Sequence, residues 1–128
     1  MINNLEGKIA LVTGASRGIG QAIALRLAQA GAFVFGTATT EQGAQSINAY
    51  FEKEQLSGKG LVLDVTNSEQ IEKIIGQMIY DNQSPSILVN NAGITSDNLL
   101  LRMDDDEWYK VIETNLNSIY KMSKICIK

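Results

Sequence analysis

Residues 13–20 read Thr13-Gly14-Ala15-Ser16-Arg17-Gly18-Ile19-Gly20, between a short aliphatic run and an amphipathic stretch. Three glycines at that spacing suit the capture of a phosphate. They let the main chain take positive φ and come close to an anion, while the free N–H groups and positive dipole end of a following helix attract it. The spacing Gly-x-x-x-Gly-x-Gly departs from the Gly-x-Gly-x-x-Gly of the usual dinucleotide fingerprint, so on its own it also fits a tight packing turn. Histidine is absent. That rules out an internal Ser-His-Asp or Cys-His arrangement and any histidine-ligated zinc, and no metal site is expected.

The elements that must position this turn can be read from hydrophobic period. Residues 9–12 read as a buried strand, and residues 18–30 as a helix with Ile19, Ile23, Leu27 and Ala30 on one stripe and Gly31 as its stop. A second strand is expected at 32–37 and a helix at 41–54 with Ala44, Ile47 and Phe51 inward. Gly58 and Gly60 would bracket the turn into a third strand at 61–64. Thr66 and Glu69 read as a capping box for a helix with the stripe Ile71, Ile74, Ile75 and Met78, and Pro85 precedes a fourth strand at 87–90.

Strands that are apolar throughout, alternating with helices, imply a parallel sheet covered on both faces, an α/β doubly wound architecture. The right-handed crossover rule orders the strands 3-2-1-4, with the fourth as an edge. Asp104, Asp105, Asp106 and Glu107 read as the dipole-favoured start of a helix carrying Trp108, Val111, Ile112, Leu116, Ile119 and Met122. Ile125, Cys126 and Ile127 continue that pattern with no stop signal, so the chain is expected to end inside an element.

With 128 residues and 45% apolar content, one domain is expected, incomplete at its C-terminus. A net charge of −3 offers no basic field for nucleic acid, and neither a signal peptide nor an apolar run of membrane-spanning length is present. One cysteine, Cys126, cannot form an internal disulfide. A cytoplasmic protein is the simplest expectation.

Four segments in register now carry a resemblance: the turn at 13–20, Asp64-Val65, Asn90-Asn91-Ala92-Gly93, and Asn115. Their order and spacing resemble the short-chain dehydrogenase/reductase family, over residues 6 to 124. The wording Gly93-Ile94-Thr95, Asp97-Asn98-Leu99-Leu100-Leu101-Arg102-Met103, Trp108 and Ile112-Glu113-Thr114-Asn115-Leu116 is most similar to the bacterial 3-oxoacyl-acyl-carrier-protein reductases. Acetoacetyl-coenzyme A reductases are the nearest alternative. The resemblance implies a Rossmann-type sheet and a nicotinamide cofactor. Gly14, Ala15, Ser16, Arg17, Gly18 and Ile19 would line its pyrophosphate and adenosine side, Asp64 and Val65 would border the adenine, and Asn91, Ala92 and Gly93 would sit where strand order reverses. Read without the family, Asn91 to Gly93 also suit a polar turn, and Asp64 a strand-end cap.

The choice between NAD and NADP rests on the residues. An NAD enzyme usually places an acid on the ribose 2′-hydroxyl about 20 residues after the first glycine, and Val34-Phe35-Gly36-Thr37-Ala38-Thr39-Thr40 contains none. Arg17 adds a cation and Thr39 a hydroxyl. At about 4 Å and an effective dielectric near 20 the attraction to a 2′-phosphate is roughly 4 kcal/mol, which exposure cuts to about 1 kcal/mol. NADPH is therefore expected, with a solvated Arg17 as the alternative.

Reducing a ketone by hydride needs a proton donor for the forming alkoxide. The resemblance implies a Ser, a Tyr-x-x-x-Lys pair and an Asn supporting a water in the proton relay, and Asn115 matches that Asn. A buried Asn bonded to a carbonyl is its other reading. Tyr120-Lys121-Met122-Ser123-Lys124 matches Tyr-x-x-x-Lys in form but lies five residues beyond Asn115 on the same helix. The family's pair follows a further strand, so Tyr120 and Lys124 read as helix surface and the Ser, Tyr and Lys would lie past Lys128. The implied whole is an NADPH-dependent reductase of 3-oxoacyl groups on acyl carrier protein, in fatty acid synthesis. It would be a homotetramer, this chain being its inactive cofactor-binding half. A non-catalytic nucleotide-binding fragment is the competing expectation.

Overall fold

The structure is a computed structural model that describes residues 4–92, 104–106, 109 and 118–127. Four parallel strands, β1 (Ile9–Val12), β2 (Phe33–Ala38), β3 (Gly58–Val62) and β4 (Ile87–Val89), form one sheet in the order β3-β2-β1-β4. Helices α1 (Gly18–Gln29), α2 (Glu41–Lys53), α3 (Ser68–Tyr80) and α4 (Ser118–Ile127) follow them. The 3-2-1-4 order is the one expected from the sequence.

Neighbouring residues of one strand serve opposite faces, as the two-residue period requires. Ala10, Val12 and Val34 join Ala24, Ala28, Ile47 and Phe51 in a core under α1 and α2. Leu11 and Phe35 join Leu63, Ile71, Ile75, Met78 and Met122 in a second core under α3 and α4. Both faces are covered, so the strands are apolar along their length.

Three expectations need correction. The buried stripe of α1 is Gly20, Ala24 and Ala28, and Ile19 is 74% exposed. Ile23 and Leu27 are only half-buried flanks of that stripe, because small residues bring the helix axis closer to the sheet than a row of isoleucine and leucine would. Gly58 and Gly60 are strand residues rather than a turn. A Cβ on Gly58 would lie 2.5 Å from the Phe51 ring, and one on Gly60 would lie 2.1 Å from the Ala44 carbonyl oxygen. They are glycines because α2 rests directly on β3. The α3 cap is Asn67, whose side chain accepts from the Gln70 N–H at 3.1 Å. Thr66 instead turns its hydroxyl to Asp64. Gly31, at φ +106°, does end α1 as its C′ residue.

Candidate functional site

The C-terminal ends of β1 and β4 lie side by side, and the chain leaves them in the two segments the sequence singled out. After Val12, Thr13 extends the ladder, its N–H donating to Val89 O at 3.1 Å. The Thr13 hydroxyl then accepts the N–H groups of Asn91 and Ala92, both at 3.0 Å. Asn91 returns the contact, donating from Nδ2 to Gly14 O at 2.9 Å. The glycine turn and the Asn91-Ala92 segment are thus one hydrogen-bonded unit. Gly14 has φ +64°, and a Cβ there would come within 2.9 Å of Ala92 Cα, so only glycine fits that contact.

The turn is also fastened to β2. Gly14 N–H points to Thr37 Oγ1 at 3.4 Å and Ala15 N–H donates to Thr37 O at 2.8 Å. Ala15 is fully buried, so its part in any ligand contact runs through the backbone. Helix α1 then begins at Gly18 with Arg17 as N-cap, in extended backbone and with no side-chain cap hydrogen bond. The first bond into the helix runs from Gln21 N–H to Arg17 O. The N–H groups of Gly18, Ile19 and Gly20 therefore stand open at the positive end of the helix, without a partner among the described residues. Arg17 and Ile19 are exposed and Ser16 is half-buried beside them.

At the tip of β2, Thr39 is exposed and Thr40 is the N-cap of α2, accepting from Gly43 N–H at 3.0 Å. Beyond β3, Val65 is buried, while Asp64 is exposed and accepts from both the hydroxyl and the N–H of Thr66, at 2.6 and 2.9 Å. Those bonds from Thr66, the hydroxyl first, hold the Asp64 carboxyl below its usual range, and Lys121 on α4 adds to the effect. Asp64 is a loop-ordering carboxylate here, and it remains at the same end of the sheet as the glycine turn.

Gly93 and Asn115 lie outside the described residues, as do Glu107, Trp108, Val111, Ile112 and Leu116. Tyr120 and Lys124 are exposed on α4, with Nζ 3.5 Å from the phenol oxygen, beside a groove shared with Ser68, Ile71 and Glu72 of α3. That is the helix-surface position expected of them. Among the described residues there is no cluster of metal-ligating groups, and no helix is long and apolar enough to cross a membrane.

Three residues of the site were given no role from the sequence: Thr13, quoted there only as part of the turn, and Thr37, both nearly fully buried, and Tyr50, whose phenol reaches Ala15 O at 2.8 Å. Signals for them exist. Threonines closing apolar strands, and a tyrosine three residues after Ile47 on an inward helix stripe, are apolar bodies whose polar tips need partners.

The model of the short chain dehydrogenase family matches residues 8–128. The chain belongs to that family. Curated relatives within the short-chain dehydrogenases include the 3-oxoacyl-[acyl-carrier-protein] reductases FabG of Haemophilus influenzae, 55% identical over 124 residues, and of Vibrio harveyi, 57% identical over 125 residues. The Escherichia coli FabG is 55% identical over 125 residues. These matches cover 97 to 98% of this chain, and the chain spans about half the length of the curated relatives it matches. In this short-chain dehydrogenase the glycine turn, the Asn91 segment and the 3-2-1-4 sheet occur together.

Proposed function

We propose that this chain seats a phosphorylated nicotinamide nucleotide and belongs to the NADPH-dependent reduction of 3-oxoacyl groups on acyl carrier protein. The observation that carries the reading is the bond from Asn91 Nδ2 to Gly14 O. It puts the open α1 mouth in the crevice between β1 and β4, where strand order reverses and ligands bind in such sheets. The residues fit the group. The N–H groups of Gly18, Ile19 and Gly20 offer donors to a pyrophosphate, and a Cβ on Gly18 would meet nothing within 4 Å.

In this reading Gly14 allows the close approach. Ser16, Arg17, Gly18 and Ile19 face the pyrophosphate and adenosine side, and Ala15 is the buried anchor between them. Arg17 and Thr39 favour a 2′-phosphate, and Asp64 and Val65 border the adenine. Asn91, Ala92 and Gly93 frame the nicotinamide side, and Asn115 supports the proton relay. When bound, the cofactor supplies the hydride. The domain is the nucleotide-binding unit of a cytoplasmic, tetrameric reductase. With Tyr120 and Lys124 on the α4 surface, the 128-residue chain alone is expected to bind the nucleotide without reducing a ketone.

Calorimetric titration of the folded chain with NADPH and with NADH tests this. Saturable binding, tighter for NADPH by several-fold, is expected. Absence of binding to either would overturn the nucleotide reading, and turnover of acetoacetyl-coenzyme A would overturn the assignment of inactivity.

A further inference from the structure

Tyr50 lies on α2, outside the glycine turn, yet its phenol donates to the Ala15 carbonyl at 2.8 Å. Its ring packs edge-on against Phe51, centroids 4.8 Å apart, so the hydroxyl is held from behind by the core. Half-burial of the ring raises the phenol pKa to about 12, leaving the proton on the oxygen and available to donate at any physiological pH. From the other side, Ala15 N–H is fixed to Thr37 O at 2.8 Å. One residue at the centre of the turn is therefore pinned through both backbone groups, one by β2 and one by α2.

A trans peptide is planar, with its C=O and N–H antiparallel. The Ala15 carbonyl shares its plane with the Ser16 N–H, so aiming the carbonyl at Tyr50 aims that N–H in the opposite direction, away from α2. Ser16 N–H has no acceptor among the described residues. It stands one residue before Arg17, next to the open donors of α1. We infer that Tyr50 is a positioning residue: by fixing the Ala15–Ser16 peptide plane it keeps the Ser16 N–H turned toward the anion site as a further donor. The inference rests on the nucleotide reading for its ligand but not for its geometry.

The test compares the wild-type chain with Tyr50→Phe, which keeps the ring, and with Ile75→Val, which trims the other core and leaves the turn untouched. The first readout is amide hydrogen exchange without ligand, together with the Ala15 carbonyl 13C shift. Tyr50→Phe is expected to speed exchange of the Ala15 amide, the one hydrogen-bonded to Thr37 O, about five-fold, the size of one ordinary hydrogen bond, and to move the Ala15 carbonyl upfield. Ile75→Val should do neither. The second readout is NADPH affinity, expected to fall about five-fold in Tyr50→Phe at unchanged adenosine affinity. Unchanged exchange and carbonyl shift in Tyr50→Phe, or the same local loosening in Ile75→Val, overturns the positioning role. If wild type binds no NADPH, the proposed function fails, while exchange and carbonyl shift still decide on the tether. If wild type binds NADPH and Tyr50→Phe binds it equally well, the role in binding is overturned.

Discussion

The Thr13 hydroxyl accepts the N–H groups of Asn91 and Ala92 at 3.0 Å each, joining residues 78 and 79 positions apart in the chain. A single oxygen at the end of β1 thereby terminates β4 and fixes the far wall of the candidate site. Replacing Thr13 by Val keeps the shape and orphans the part-buried Ala92 N–H, while the Asn91 N–H keeps its other acceptor, Val89 O at 3.1 Å. The variant is expected to lose about 1–3 kcal/mol of unfolding free energy, whereas Thr13→Ser retains most of it. Urea unfolding of both variants, with equal slopes, is the measurement.

Glycine is required to different degrees at two helical positions. A Cβ on Gly20 would lie 2.1 Å from Gly14 O and 2.6 Å from Asn91 Nδ2, so α1 must lift off the turn to admit it. Gly20→Ala should cost about 2–3 kcal/mol and weaken nucleotide binding. In contrast, Gly76 is exposed inside α3 with nothing within 4 Å of an added Cβ. Gly76→Ala should stabilise the chain by about 0.5–1 kcal/mol. Thermal melts giving both the same sign would contradict the assignment.

Asp64 predicts a pH dependence. Its folded pKa is depressed by Thr66 and, to a lesser extent, by Lys121. The unfolded carboxyl holds its proton to higher pH than the folded one. The stability it contributes is therefore complete above the unfolded value near about 4, and is lost as pH falls through the lower folded value. Asp64→Asn removes that part of the acid sensitivity, so the urea midpoints of wild type and variant should converge between about pH 5 and about pH 2. Parallel profiles would sink the claim.

Arg17 is exposed at the N-cap of α1, where a solvent-screened charge is worth about 1 kcal/mol against a 2′-phosphate. Arg17→Ala should weaken NADPH about five-fold and NADH less, narrowing the ratio between them. The effect should shrink in high salt, because an exposed pair is screened. Calorimetry at two ionic strengths reads both.

Met122 ties α4 to the sheet. It is fully buried in the core with Leu11, Phe35 and Ile71. Met122→Ala is expected to cost about 2–5 kcal/mol by leaving a cavity between α4 and α3. A loss near zero by denaturant unfolding would mean that α4 does not dock as described.

Much of this was legible in one dimension. Local composition carries strand and helix identity, because apolar run length and helical period are properties of neighbours in the chain: α2 with Ala44, Ile47 and Phe51, and α3 with Ile71, Ile75 and Met78, follow the pattern read from them. Chirality narrows the strand order, since right-handed crossovers leave only a few arrangements for four β-α steps, and the expected 3-2-1-4 is the one found. The glycine turn and the Asn91 segment were likewise visible as residue types.

Tertiary contact alone decided the rest. Ile19 faces water and Gly20 the turn because the distance between α1 and the Gly14–Asn91 unit admits no side chain, a constraint set by residues some 70 positions away. Gly58 and Gly60 are strand residues because α2 rests on them. Thr13, Thr37 and Tyr50 matter through single oxygen atoms whose partners come from other elements. A hydrogen bond acts over about 3 Å in space and has no period along the chain, so sequence order shows the groups that need partners and only the fold chooses which ones meet.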